Sequence, residues 1–154
     1  MEKPAFTVSA FYRDPKAALD WLARAFGFEV TMVIEDADAD PRNSHYEMAI
    51  EGRGRIMIGG EWADWTRSPA SAGGVNTQST HVDLARDLDA HCARARSAGA
   101  RIAAEPADQF YGDRTYRAVD LEGHMWTFAQ HVRDVSRAEA EEAVGARIEA
   151  ANWA

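Results

Sequence analysis

The clearest acid–base chemistry in the sequence lies in one short extended run, Thr80-His81-Val82-Asp83-Leu84. Val82 and Leu84 alternate with His81 and Asp83. A strand that buries the apolar pair therefore presents the other two together on its opposite face. A histidine beside a carboxylate can take up and return a proton, so His81 and Asp83 are the candidate catalytic pair. Trp62 and Trp65 stand in a stretch otherwise rich in small and polar residues. Two indoles there can stack on a flat or cationic ligand, or can anchor the loop to the body. The turn Tyr111-Gly112-Asp113-Arg114 offers a phenol and a guanidinium for substrate, with a structural Asp113–Arg114 corner as the alternative. Tyr116 has the parity of Arg114 and is expected on the same side. His45, His91, His124 and His131 read as structural histidines. Cys92 lies on an apolar helical stripe and reads as inert core. No phosphate-cradling glycine loop and no G-x-S-x-G elbow occurs.

The elements that must position these groups occur twice. Residues 14–27, DPKAALDWLARAFG, begin with an N-cap aspartate and Pro15, carry Ala18, Leu22 and Ala25 as a helical stripe, and stop at Gly27. Residues 87–99, DLDAHCARARSAG, repeat the pattern with Asp87 as cap, Leu88, Cys92 and Ala95 as stripe, and Gly99 as stop. A strand-like segment precedes each helix (6–11 and 80–85). Three extended segments follow each one, at 28–35, 44–50 and 55–58, and at 101–104, 114–119 and 124–130. The pattern is βαβββ twice, predicting an α+β fold whose two modules form a curved eight-stranded mixed sheet, an open cup. The modules are expected over about 4–60 and 79–131, joined by a flap at 61–78, within a domain at 1–134. A tail at 135–154 should form a C-terminal helix capped near Ser136 and packed through Val144, Ile148 and Trp153.

The chain has 154 residues, 46% hydrophobic and 27% charged, which fits one folded domain and excludes wholesale disorder. The net charge of −8 argues against nucleic acid as partner, and no apolar run is long enough for a membrane span. The N-terminus, MEKPAF, lacks a basic-then-apolar signal pattern, so a cytoplasmic location is expected. One cysteine excludes an intrachain disulfide.

The string YGDRTYRAVDLEGHMWTFAQH at 111–131 closely resembles the closing strands of the glyoxalase/bleomycin-resistance/dioxygenase superfamily, the vicinal oxygen chelate fold. FYRDPKAALDWLARAFGFEV at 11–30 resembles its first helix and second strand, and HVDLARDLDAHCARARSAGARI at 81–102 its second module. Tyr-Gly-Asp-Arg followed by Asp-x-x-Gly-His-x-Trp is specific for a bacterial glyoxalase-like subgroup. The resemblance implies a cup often completed by a dimer. It also implies, in many members, one divalent metal held by the first, fourth, fifth and last strands.

Carried onto this chain, those positions fall on Thr7, near Ile58, on Thr80 or His81, and on Thr127. Threonine hydroxyls are poor ligands for a first-row divalent ion, and isoleucine is none. Strand alternation favours His81 over Thr80 as the residue facing the cup. The expectation is therefore a cup with no metal and no cofactor, binding a small organic ligand. Its lining would be Thr7, Ser9, Phe11, Trp62, Trp65, Tyr111, Arg114, Tyr116 and Thr127. The alternative is a divalent-metal enzyme, a glyoxalase-like lyase or isomerase or a ring-cleaving dioxygenase. Metal-free acid–base catalysis by His81 is a third reading. An open sheet edge and an apolar tail predict a homodimer, with neither nucleic acid nor membrane as partner.

Overall fold

In the computed structural model, which describes residues 3–153, both halves trace the expected βαβββ path. The first module comprises β1 (Val8–Tyr12), α1 (Pro15–Phe26), β2 (Glu29–Ile34), β3 (His45–Ile50) and β4 (Arg53–Gly60). The second comprises β5 (Thr80–Asp83), α2 (Leu88–Ser97), β6 (Arg101–Asp108), β7 (Asp113–Val119) and β8 (Met125–His131). The tail holds α3 (Arg137–Val144). The eight strands hydrogen-bond as two mixed sheets of four, ordered β1-β4-β3-β2 and β5-β8-β7-β6, and neither closes. In each sheet the first strand runs parallel to the last strand of its module, and the other pairs are antiparallel.

Local chemistry accounts for most helix ends. The Asp14 carboxylate accepts the Ala17 N–H, and Gly27 closes α1 in the left-handed conformation with φ 72°. Ser136 and Glu139 form a reciprocal capping box on α3, which Gly145 terminates at φ 67°. The expected cap at Asp87 does not form. Asp87 sits at φ 58° with no side-chain bond to the helix, and the Gln130 side chain accepts the Leu88 N–H instead. A partner from β8 thus replaces the local one. Of the tail residues expected to pack, Trp153 donates to the Val135 carbonyl at 2.8 Å, Ile148 is half-buried and Val144 is exposed.

One core serves both modules. Ala10, Tyr12, Tyr46, Met48, Ile56 and Ile58 from the first sheet share it with Tyr116, Ala118, Trp126 and Phe128 from the second. The helices supply Leu22, Phe26, Leu88 and Cys92. Phe26 of α1 packs 4.7 Å from Phe128 and 5.7 Å from Trp126, centroid to centroid. Each such buried ring contributes about 1.5–3 kcal/mol. His91 of α2 crosses between modules: its Nε2 donates to the Phe26 carbonyl at 2.9 Å, and its Nδ1 accepts the Tyr116 hydroxyl at 2.6 Å. Burial holds the His91 pKa below the usual histidine value and pushes that of Tyr116 up.

The Asp120-Leu121-Glu122-Gly123-His124 turn bolts the halves together. Buried Asp120 accepts the Tyr12 hydroxyl at 2.7 Å, Trp126 Nε1 at 3.0 Å, and the N–H groups of Glu122 and His124, both at 3.0 Å. Burial, and then the neighbouring Asp120 charge, drive the Tyr12 pKa well above the usual tyrosine value. Glu122 accepts the N–H groups of Arg13 and Asp14 and the Ser68 hydroxyl, and His124 Nε2 donates to the Phe11 carbonyl at 2.7 Å. The motif that carries the family resemblance is therefore an inter-module clamp.

Candidate functional site

Because the sheets share a core, each turns its other face outward. On the first sheet the outward residues are Ser9 and Phe11 of β1, Arg55, Met57 and Gly59 of β4, and His45 and Glu47 of β3. The pairing register places Ser9 against Met57, Met57 against Glu47, and Phe11 against Gly59. The loop before β3 and the segment after β4 rise beside this face and make a cavity of about 420 Å³. Its walls include Ser9, Phe11, His45, Met57, Trp62 and Trp65. Trp65 meets Phe11 edge-on at 5.9 Å and Trp62 edge-on at 5.1 Å. The indoles remain 55% and 70% exposed, for Trp62 and Trp65 respectively, so their faces are free for a further ring. Gly60 lets the Arg42 backbone lie against β4, because a Cβ there would strike it. Gly59 leaves the floor beside Phe11 flat.

Polar groups on this face are few and mostly engaged. Glu47 is 7% exposed, and its Oε1 lies 3.1 Å from His45 Nε2. Arg55 reaches 3.8 Å from the other Glu47 oxygen and donates to the Thr7 hydroxyl from Nε at 3.2 Å and Nη2 at 3.1 Å. Arg42 is forked onto Asp40, with Nη2 2.7 Å from Oδ2. The Ser9 hydroxyl faces the Met57 thioether at 3.6 Å, a weak acceptor.

On the second sheet, His81 and Asp83 share the outward face with Thr127, as the alternation requires. Their side chains are 52% and 76% exposed, and the closest N···O approach is 3.6 Å. A second crevice of about 320 Å³ runs between the modules past His81, Asp83, Arg53, Arg55 and Phe6. Within one chain, the cavity on the first sheet contains no residue of the second module. Of the expected lining, the structure brings Ser9, Phe11, Trp62 and Trp65 together. Thr7 lies just before β1, and Thr127 stands on the other sheet.

Three expected lining residues lie elsewhere. Tyr116 pairs with Phe128, is 1% exposed and stacks on that ring, so it belongs to the core. Arg114 has the same parity and is held by Asp89 at 3.1 Å and Asp108 at 2.9 Å. Asp113 does not pair with Arg114 but takes His131. Tyr111 is half-buried in the β6–β7 turn, edge-on to Phe110 at 5.1 Å. Burial, with the nearby Asp113 charge, raises its pKa. His45, read from sequence as structural, lies on this face with Glu47, Arg55 and Met57, which the sequence reading does not single out. The signal for them was present: Tyr46, Met48 and Ile50 alternate with His45, Glu47 and Ala49, as Val82 and Leu84 do with His81 and Asp83.

The residues present do not fit a divalent metal at the positions the resemblance implies. Ile58 is fully buried core. Thr7 is occupied by Arg55, whose own positive charge opposes a cation beside it. Among the described residues no three His, Cys, Asp or Glu side chains converge.

Comparison with known proteins places these features. The family model described as Glyoxalase/Bleomycin resistance protein/Dioxygenase superfamily matches residues 6–128. TioX from Micromonospora sp. ML1 is 32% identical, with a TM-score of 0.65, over 84% of this chain and 100% of that one. The antibiotic-binding protein TnmS3 from Streptomyces sp. CB03234 is 19% identical, with a TM-score of 0.62, over 85% of this chain and 98% of that one, a likeness of fold. An uncharacterised protein of Mycobacterium bovis is 28% identical over 152 residues, covering 94% of this chain and 95% of the relative.

Proposed function

This chain belongs to the glyoxalase/bleomycin resistance/dioxygenase superfamily, and within it we propose that the protein binds a planar organic molecule without a metal or cofactor. The observation that carries this reading is the aromatic-walled cavity on the first sheet, with two indole faces left uncovered. A concave, largely apolar site with a few polar groups suits a small organic ligand. The antibiotic-binding neighbour TnmS3 supports the same use of the fold. A naphthalene dye, 1-anilinonaphthalene-8-sulfonate, tests the reading. Its fluorescence should rise on binding, resist added chelator, and fall strongly with Trp62→Ala combined with Trp65→Ala. Binding that requires added divalent metal would sink it.

The working unit in this proposal is a homodimer in which the second sheet of one subunit closes over the first sheet of the other. Both outward faces lack a cover within one chain. The edge strand β2 exposes Val30, Met32, Val33 and Ile34 by 42–57%. An unpaired apolar edge of this kind calls for burial. The partner's His81, Asp83 and Thr127 would then roof the cavity. Ser9→Trp fills the first face and Thr127→Trp the second, so each alone should abolish dye binding. Mixing and refolding the two variants should recover about a quarter of the sites, because a heterodimer holds one intact pair of faces. No recovery, from variants that remain dimeric, would show that each chain builds its site alone.

A further inference from the structure

We propose that the ligand class selected by this cavity is a hydroxylated planar aromatic, a phenol, and that His45 is the group that recognises its O–H. The inference rests on the binding reading above and adds the ligand's defining group. His45 opens β3 and lines the cavity with its side chain 36% exposed. A carboxylate only accepts hydrogen bonds, so the Glu47 contact at 3.1 Å places the proton of the neutral imidazole on Nε2. Nδ1 is left as an acceptor, with no hydrogen-bond partner among the described residues.

The neighbouring polar groups do not compete for the role. Arg42 is committed to Asp40. The Ser44 hydroxyl accepts from the Asp36 N–H at 3.1 Å and donates to the Asp40 carbonyl at 3.0 Å. Asn43, which also lines the cavity, is exposed to solvent, so the half-buried acceptor that remains beside Phe11, Trp62 and Trp65 is that of His45. A ring that stacks on the indoles and carries a donor satisfies both. A ring without the donor leaves Nδ1 unpaired under an apolar cover, which costs affinity. Glu47 acts here as a positioning residue. It holds the imidazole in the tautomer that accepts, and is itself 7% exposed.

Calorimetric titration of the full-length protein with 2-naphthol and 2-methoxynaphthalene separates the possibilities. The two probes share their rings and differ in one O–H. The wild-type protein should bind 2-naphthol roughly tenfold more tightly. His45→Leu should erase that preference while still binding the ether. Glu47→Gln should narrow it. It should also convert the His45 ring nitrogens, read by ¹⁵N NMR, from a single Nε2–H tautomer to a mixture, with an unchanged thermal midpoint. Equal wild-type affinities, or a preference that survives His45→Leu, overturn the inference and leave the binding reading intact. If neither probe binds, both fall.

Discussion

The two modules follow the same βαβββ path, yet their outward faces have diverged. The first carries a cavity walled by Phe11, Trp62 and Trp65, with the buried Glu47 on the same face. The second carries His81 and Asp83 mostly exposed along the inter-module crevice. Their edge strands differ in the same sense. In β2, Glu-Val-Thr-Met-Val-Ile is apolar on both faces and exposed throughout. In β6, Arg-Ile-Ala-Ala-Glu-Pro-Ala-Asp carries charges and a proline, which blunt an edge against further pairing. Duplication of a backbone thus leaves each copy free to use its uncovered surface differently, since only the helix side is constrained by packing. The second module contributes the clamp, and the first contributes the hollow.

The sharpest way to break this contrast is at the clamp. Asp120→Ala strands the Tyr12 hydroxyl, Trp126 Nε1 and two backbone N–H groups in the core. Urea denaturation should show a loss of about 3 kcal/mol or more. At the hollow the expectation reverses. Trp65→Ala should weaken binding of a planar aromatic by ten- to a hundredfold, roughly 1.4–2.8 kcal/mol. Its folding stability should stay within about 0.5–1 kcal/mol, because the indole is 70% exposed. A Trp65→Ala protein that unfolds as readily as Asp120→Ala would mean the indole anchors the loop. Gly59→Val, at a position without positive φ, should raise the floor beside Phe11 and cost about tenfold in affinity with little change in stability.

The edge strands give a subtler contrast. Val33→Glu with Ile34→Lys should shift the protein toward monomer in sedimentation velocity, with the circular dichroism spectrum unchanged. Ala104→Glu in β6 should leave the assembly as it was.

The smallest effects concern two histidines of opposite sign. The folded pKa of His91 is depressed by burial, so its stabilisation is present above the unfolded value of about 6.5 and is lost as pH falls through the folded value. That of His131 is raised by hydrogen bonds to Asp134 and then Asp113. Its contribution is full below about pH 6.5 and fades as pH rises through the folded value. Denaturation midpoints of His91→Gln and His131→Ala across pH 5–8 should depart from wild type at opposite ends of that range, His91→Gln being less sensitive to acid.

Much of this architecture is readable from short-range pattern. The αL stop at Gly27, the caps at Asp14 and Ser136, and the alternation at 81–84 depend on residues at most a few positions apart, and all appear as expected. Errors arise where the deciding neighbour is distant in sequence. Asp87 loses its cap to Gln130, 43 positions away. The turn points Arg114 toward the ligand and shared parity carries Tyr116 with it, whereas the β7–β8 register pairs Tyr116 with Phe128 on the core side. His45 and Glu47 obey the alternation but fall outside the positions the resembled family uses for metal, so His45 reads as structural and Glu47 is not singled out from sequence.

By itself the chain's order of residues determined the duplicated βαβββ plan, the helix boundaries and the face on which most strand residues lie, because these follow from local backbone preferences and a two-residue period. Only the tertiary structure decided that both helix layers merge into one core. That merger sends the two outward faces apart, separates Ser9 and Phe11 from His81 and Thr127 within a chain, and makes the DLEGH turn a clamp. Such outcomes depend on long-range packing and register, where the contacts that choose among arrangements join residues half the sequence apart.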